Sequence, residues 1–216
     1  MVDCVSVPEC LPPSPSTARG TDESQPPEYV NVVVVGRGIL GTSVAARLCA
    51  TGAVTVTLVG GPANSTASSL GWLNAFSKEP EEYADLSRRS MALWPGFAES
   101  LKLSEDQFRR GGCVMFATGT TGDSTLAKKL ESARDRGCSF RMLSSEEFGG
   151  LVPGMSDDST TAAVFPEDMV ADAMACATAC ERRALACGAY VLNDEVVSIK
   201  ADVSVTLVLR SGRTLR

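Results

Sequence analysis

Three glycines, Gly36, Gly38 and Gly41, fall in the stretch VVVVGRGILG with the spacing G-x-G-x-x-G. Lacking a Cβ, glycine lets the backbone turn sharply and lets another group come up against it. After a run of β-branched residues and before a helical pattern, this spacing suits a phosphate cradle. In that role Gly36 permits the tight turn, Gly38 lets a pyrophosphate approach the main chain, and Gly41 lets helix and strand pack closely. Ile39 and Leu40 open the helix, so their N–H groups and its positive dipole end face the same anion. A β-α-β unit with no ligand carries the same glycines, and the motif alone leaves both readings open.

One partner of such a cradle is missing. An Asp or Glu usually ends the second strand and accepts the ribose hydroxyls. Here that position falls on Val59 or Gly60, neither of which accepts with a side chain. No arginine follows them to meet a 2′-phosphate. Arg37, inside the motif, reaches either a phosphate or solvent. The empty acidic position weighs against a nicotinamide dinucleotide more than against a flavin one, which is held along a longer contact surface. The chain has no histidine, which removes every Ser-His and Cys-His nucleophile pair and the commonest general base. Eight dispersed cysteines read as small core thiols of a cytoplasmic protein, and Cys176 and Cys180, four apart, lack the further ligands of a metal site.

The elements that position these residues follow from periodicity. Val32 to Val35 predict a strand buried on both faces of a parallel sheet. Ile39 to Ala50 predict a helix whose apolar stripe is Leu40, Val44, Ala45 and Leu48, and Ala53 to Val59 a second strand. Together they make one β-α-β unit with an expected right-handed crossover. A helix over about Glu81 to Leu103 carries Leu86, Leu93, Phe97 and Leu101 on one stripe, with Pro95 kinking it. Cys113 to Thr118 and Ala162 to Phe165 predict strands, Thr125 to Arg136 a helix stopped by Gly137, and Ser144 with Glu147 a capping box. Met169 to Cys187 predicts a helix stopped by Gly188, followed by the strands AYVL, EVVSI and VTLVLR. Residues 1–29 are Pro/Ser-rich and predict a disordered tail.

With 216 residues, 44% hydrophobic and 21% charged, the composition is that of a globular protein of one or two domains. No apolar run of about 18 residues predicts a membrane span. A net charge of -6 argues against a nucleic-acid binder, which normally shows a basic face.

VVVVGRGILGTSVAARLCATGAVTVTLVGG, then STASSLGWLNAF and a helix carrying Leu93 and Trp94, resembles the D-amino-acid oxidase and glycine oxidase family of FAD-dependent oxidoreductases. RGGCVMFAT, MLSSEEFGGLVPGM and AVFPEDMVADAMACATACERRALACGAYVLNDEVVSI resemble later family segments in the same order, so the likeness covers about residues 30 to 216. It implies an α/β fold: a Rossmann-like FAD/NAD(P)-binding parallel sheet with part of an inserted α+β substrate domain. Residues 30–80 are then the first β-α-β and second cofactor segment, 81–167 the inserted domain, and 168–216 the return to the FAD-binding domain. The resemblance places Gly36, Gly38 and Gly41 at the FAD pyrophosphate. Ser65, Thr66, Ser69, Gly71 and Trp72 fall near the ribityl chain and flavin ring, where hydroxyls and backbone donors suit phosphate and ribityl oxygens; a polar surface loop has the same composition. Val196 matches the position whose main chain meets the adenine edge.

The implied chemistry is oxidation of a small amine or amino-acid substrate by hydride transfer to flavin, with no nucleic-acid partner. The family's last sheet strand, its substrate-carboxylate arginine and its remaining flavin contacts are expected beyond residue 216, so no catalytic residue is assigned. A non-catalytic nucleotide-binding fragment and an NAD(P)-dependent dehydrogenase are the competing expectations.

Overall fold

The computed structural model describes residues 30–61, 65–76, 78–155, 160–202 and 204–216. The predicted tail over 1–29 lies outside them, as does Val203, between the last two predicted strands. In chain order the elements are β1 (Val30–Val35), α1 (Ile39–Ala50), β2 (Val54–Val59), a 3-10 turn (Ser65–Ser68), β3 (Trp72–Leu73) and α2 (Glu81–Ser100). Then come β4 (Phe108–Arg110), β5 (Cys113–Thr118), α3 (Gly119–Asp135), β6 (Arg141–Leu143), α4 (Ser145–Leu151) and β7 (Thr160–Phe165). The chain continues with β8 (Met169–Ala171), α5 (Ala173–Ala186), β9 (Tyr190–Leu192), β10 (Val196–Ala201), β11 (Val205–Leu209) and β12 (Thr214–Leu215). They form two compact units: one runs to Leu70 and resumes at Ser100–Lys102 and Asp172–Arg216, the other holds Gly71–Glu99 and Leu103–Ala171.

The first unit contains a parallel sheet of order β1-β2-β9, with Val30 to Val35 paired in register with Val54 to Val59. The four valines are nevertheless not buried on both faces. β1 is an edge of the sheet among the described residues, and Val35 is 51% exposed. A β-branched run marks extended backbone, whereas double-sided burial needs neighbours that a local pattern does not reveal.

Helix α1 has the predicted bounds and a buried face that keeps Ala45 of the predicted stripe, with Leu48 half-buried. Thr42, Ala45, Ala46 and Cys49 are buried, while Leu40 is 80% exposed and Val44 also faces outward. The burial comes from α5, which packs on α1 with Cys176, Ala177, Cys180 and Ala184 buried. Small side chains on both helices let the backbones approach, and the bulkier Leu40 and Val44 are left outside. The thiols of Cys176 and Cys180 serve here as small core groups, and burial pushes each up to about 11, so both stay protonated and unreactive at neutral pH. No group of three His, Cys, Asp or Glu that could hold a metal occurs among the described residues.

A second, shorter sheet of the first unit is the antiparallel β10-β11-β12. The other unit holds two antiparallel sheets, β3-β8-β4 and β5-β7-β6. Its core packs Phe76, Leu126, Leu130, Ala133, Ala163 and Phe165 together, with Phe76 and Phe165 stacked at 4.3 Å between centroids. Helix α2 continues through Pro95 and buries Ala84 and Ala98; of the expected stripe Leu86 and Leu93 are 63% and 65% exposed, Phe97 is half-buried and Leu101, just past the helix, is buried. The stretch predicted as one helix from Met169 begins instead as β8, because Met169 and Val170 pair with β3 and β4. Asp172 then caps α5 by accepting the Ala175 N–H at 2.9 Å. The capping box forms as expected: Ser144 Oγ accepts from Glu147 N, and Glu147 accepts from Ser144 N.

The buried face of α1, centred on Ala45 rather than on Leu40 and Val44, is directly measurable. Ala45→Leu overpacks the α1–α5 contact and should cost about 1–3 kcal/mol in urea denaturation. Leu40→Ala, on the outward face, should change stability by about 0.5 kcal/mol or less.

Candidate functional site

The glycine turn is built by one close approach. Gly36 leaves β1 with φ of 110° and donates its N–H to Val59 O of β2 at 2.8 Å. A Cβ on Gly41 would lie 1.8 Å from the Gly36 carbonyl oxygen, so only glycine lets α1 start this near the end of β1. Gly38, in extended conformation, is the N-cap of α1. Having no side chain, it leaves the first N–H groups of the helix for other partners.

Of those groups, the Ile39 N–H is already engaged. It donates to Thr66 Oγ1 at 3.0 Å, and Thr66 is 9% exposed in the 3-10 turn. This corrects the expectation that Ile39 faces an anion. The Thr66 hydroxyl accepts this bond, which ties the second predicted cofactor segment to the first and leaves its own O–H to donate. Leu40 N and Gly41 N have no partner among the described residues, since the first helical N–H bond is Thr42 N to Gly38 O. Two adjacent donors at a helix N-terminus behind a glycine turn can hold one phosphate oxygen cluster.

Ser65 and Ser69 are exposed on the same turn, and Ser69 N donates to Thr66 O at 3.1 Å. Val196 is not in the parallel sheet: it opens β10, where it pairs with Leu209 beside a register shift. Gly71 and Trp72 belong to the other unit. Gly71 is packed against β8, with a Cβ there falling 1.8 Å from Ala171 O. The Trp72 indole donates to Asp168 Oδ2 at 2.8 Å.

Asp168, missed by the sequence reading, is 4% exposed. Burial pushes its carboxyl up to about 6, against the opposing pull of the Trp72 hydrogen bond and Lys78. It lines a cavity of about 480 Å³ with Phe76, Arg88, Cys138 and Glu167. An acid directly before β8 carries no local mark of burial, so nothing short of the packed strand could have identified it.

Arg37 takes neither of its two expected paths. Its Nε donates to Glu181 Oε2 at 2.5 Å and its Nη2 to Oε1 at 2.7 Å, a two-pronged ion pair with α5. The hydrogen bonds to Glu181 hold the guanidinium above its ordinary value, so Arg37 stays charged. Glu181 was also missed, although it is the sole acid in the alanine-rich α5 and its isolation was visible.

The sequence pattern of the family described as FAD dependent oxidoreductase matches residues 31–216. The chain belongs to this family. No curated protein matches the chain. Among solved structures, glycine oxidase from Geobacillus kaustophilus is similar with a TM-score of 0.74 and 22% identity, over 86% of this chain and 52% of that one. Iminodiacetate oxidase from a Chelativorans species is similar at a TM-score of 0.72 and 23% identity, over 85% and 52%. L-proline dehydrogenase from P. horikoshii follows at 0.68 and 24%, over 86% and 50%. These likenesses establish a fold shared with the family, and the chain spans about half the length of each. Among the described residues of this FAD dependent oxidoreductase family member, no helix is long and apolar enough to cross a membrane.

Two measurements probe these contacts. Thr66→Val keeps the shape of the turn and removes the acceptor for Ile39 N–H, so it should cost about 1 kcal/mol in thermal or urea unfolding. For Asp168, the carboxyl is protonated in both folded and unfolded chains below about pH 4, and ionised in both above about pH 6. Between those values only the folded protein holds the proton, so its contribution to stability falls as pH rises, by up to about 3 kcal/mol. Asp168→Asn should therefore gain on the unsubstituted protein between pH 4 and 7; parallel urea midpoints across that range would discount Asp168 as the titrating group.

Proposed function

We propose that the turn Gly36–Gly41 and the N-terminus of α1 hold the pyrophosphate of FAD, and that this protein oxidises a small amine or amino acid. The carrying observation is the pair of N–H groups, Leu40 and Gly41, unpartnered among the described residues behind a glycine turn in a chain of an FAD dependent oxidoreductase family. The residues fit the group. The donors are main-chain N–H groups, the helix dipole adds partial positive charge, and Gly41 lets the helix start close to the end of β1. Thr66 contributes as a positioning residue, fixing the Ile39 amide and with it the direction of the helix start. Ser65, Ser69, Gly71, Trp72 and Val196 enter this reading through the resemblance of their segments to the family.

FAD, when bound, supplies the acceptor for the hydride leaving the substrate α-carbon. This chain's described residues supply binding and orientation, and none of them is assigned a proton transfer. The glycine oxidase, iminodiacetate oxidase and L-proline dehydrogenase likenesses support an amino-acid or related amine as the substrate class.

The purified protein is expected to show visible flavin absorption, or to acquire it on titration with FAD, and to release FAD on denaturation. Gly41→Ala, whose methyl has no room beside Gly36 O, should lower FAD affinity by about tenfold or more. A colourless protein that takes up no FAD overturns the reading. A panel of amino acids and secondary amines, assayed by substrate-dependent bleaching of the flavin, then identifies the substrate.

A further inference from the structure

Of the two positions where a carboxylate ordinarily meets the ribose, Val59 ends β2 and is buried, and Gly60, directly after it, lacks a side chain for a steric reason. A Cβ on Gly60 would lie 2.7 Å from both the Cβ and the main-chain N of Arg37. The first residue of the glycine turn after Gly36 thus lies against the strand end, and no acid can stand at position 60 while it does. The Arg37 side chain then reaches Glu181 through two parallel hydrogen bonds of 2.5 and 2.7 Å. Both side chains stay partly accessible, at 26% and 18%. Arg37 Nη1 has no hydrogen-bond partner among the described residues, and each Glu181 oxygen keeps a lone pair beyond its bond to Arg37.

We propose that the Arg37–Glu181 pair takes the place of the absent strand-end acid as the ribose-recognition element, and that it selects a ribose with an unphosphorylated 2′-hydroxyl. The inference rests on the dinucleotide reading of the glycine turn. Its logic is charge balance. A free arginine beside the ribose favours a 2′-phosphate, which it can clamp with two N–H bonds. Arg37 has already given that fork to a carboxylate, so a phosphate arriving there meets Glu181 as well as the guanidinium. The neutral pair offers donors and acceptors together, which is what a ribose diol uses. The two-pronged geometry also fixes the guanidinium before the ligand arrives, so little side-chain freedom is lost on binding.

The test compares dissociation constants of the full chain for FAD, ADP and 2′-phosphorylated ADP. The unsubstituted protein should bind FAD and prefer ADP over its 2′-phosphorylated analogue. Glu181→Gln uncovers the arginine charge and should shift that preference towards the phosphorylated analogue by about tenfold or more. Glu181→Ala provides the same comparison should the glutamine variant fail to fold, as judged by circular dichroism. Arg37→Met should weaken ADP and FAD, and in Arg37→Met/Glu181→Gln the shift should vanish. An unchanged ratio in folded Glu181 variants, with FAD still bound by the unsubstituted protein, leaves the pair a mere tether between turn and helix and overturns the proposal alone. Failure of the unsubstituted protein to bind any of the three overturns the dinucleotide reading and the proposal with it.

Discussion

The meeting of Gly41 with the Gly36 carbonyl oxygen governs the first unit. With 1.8 Å available to a Cβ, any other residue at 41 would push α1 away from the end of β1. From that contact follow the entry of the helix, the outward direction of the Leu40 and Gly41 amides, and the position of Arg37 across the end of β2. Gly60 is the second half of the same constraint: its missing side chain is the space Arg37 uses. A phosphate-binding turn is therefore the consequence of a packing condition rather than of any residue chosen for its affinity.

Two tethers then hold the turn in place. Thr66 accepts from Ile39 N and brings the 3-10 turn to the helix start, while Glu181 holds Arg37 and brings α5 to the same loop. The second works because α1 and α5 lie close together, which their small buried residues Ala45, Ala46, Cys176, Ala177 and Cys180 allow. Larger side chains on either face would separate the helices and lengthen the reach from Arg37 to Glu181. The alanine and cysteine content of these helices is thus part of the site's geometry.

The second unit shows the limits of pattern reading most clearly. Leu86 and Leu93 lie on a formally apolar stripe of α2, yet the buried side is the one through Ala84 and Ala98. Periodicity identifies that a helix has faces; it does not say which face finds a partner when small residues can pack as closely as large ones. Met169 to Ala171 likewise satisfies a helical pattern and becomes a strand, because β3 and β4 offer it hydrogen bonds before the Asp172 cap starts α5. Asp168, beside that switch, becomes a buried acid only through the packing of β8 and the Trp72 indole.

The β-α-β unit, the bounds of α1, the glycine turn and the capping box at Ser144 were legible in the residues, since each is written in neighbours a few positions apart, and the family in the order of segments from about residue 30 to 216. The absence of an acid at Val59 and Gly60 was equally plain in the residues. Its cause was not. That the Ile39 amide is consumed by Thr66, 27 residues on, and that Arg37 turns to Glu181, 144 residues on, was decided by tertiary structure alone. Local spacing fixes which backbone groups a turn exposes, but only the packed helices decide which of them remain free, because a hydrogen bond is settled by proximity in space and not by distance along the chain.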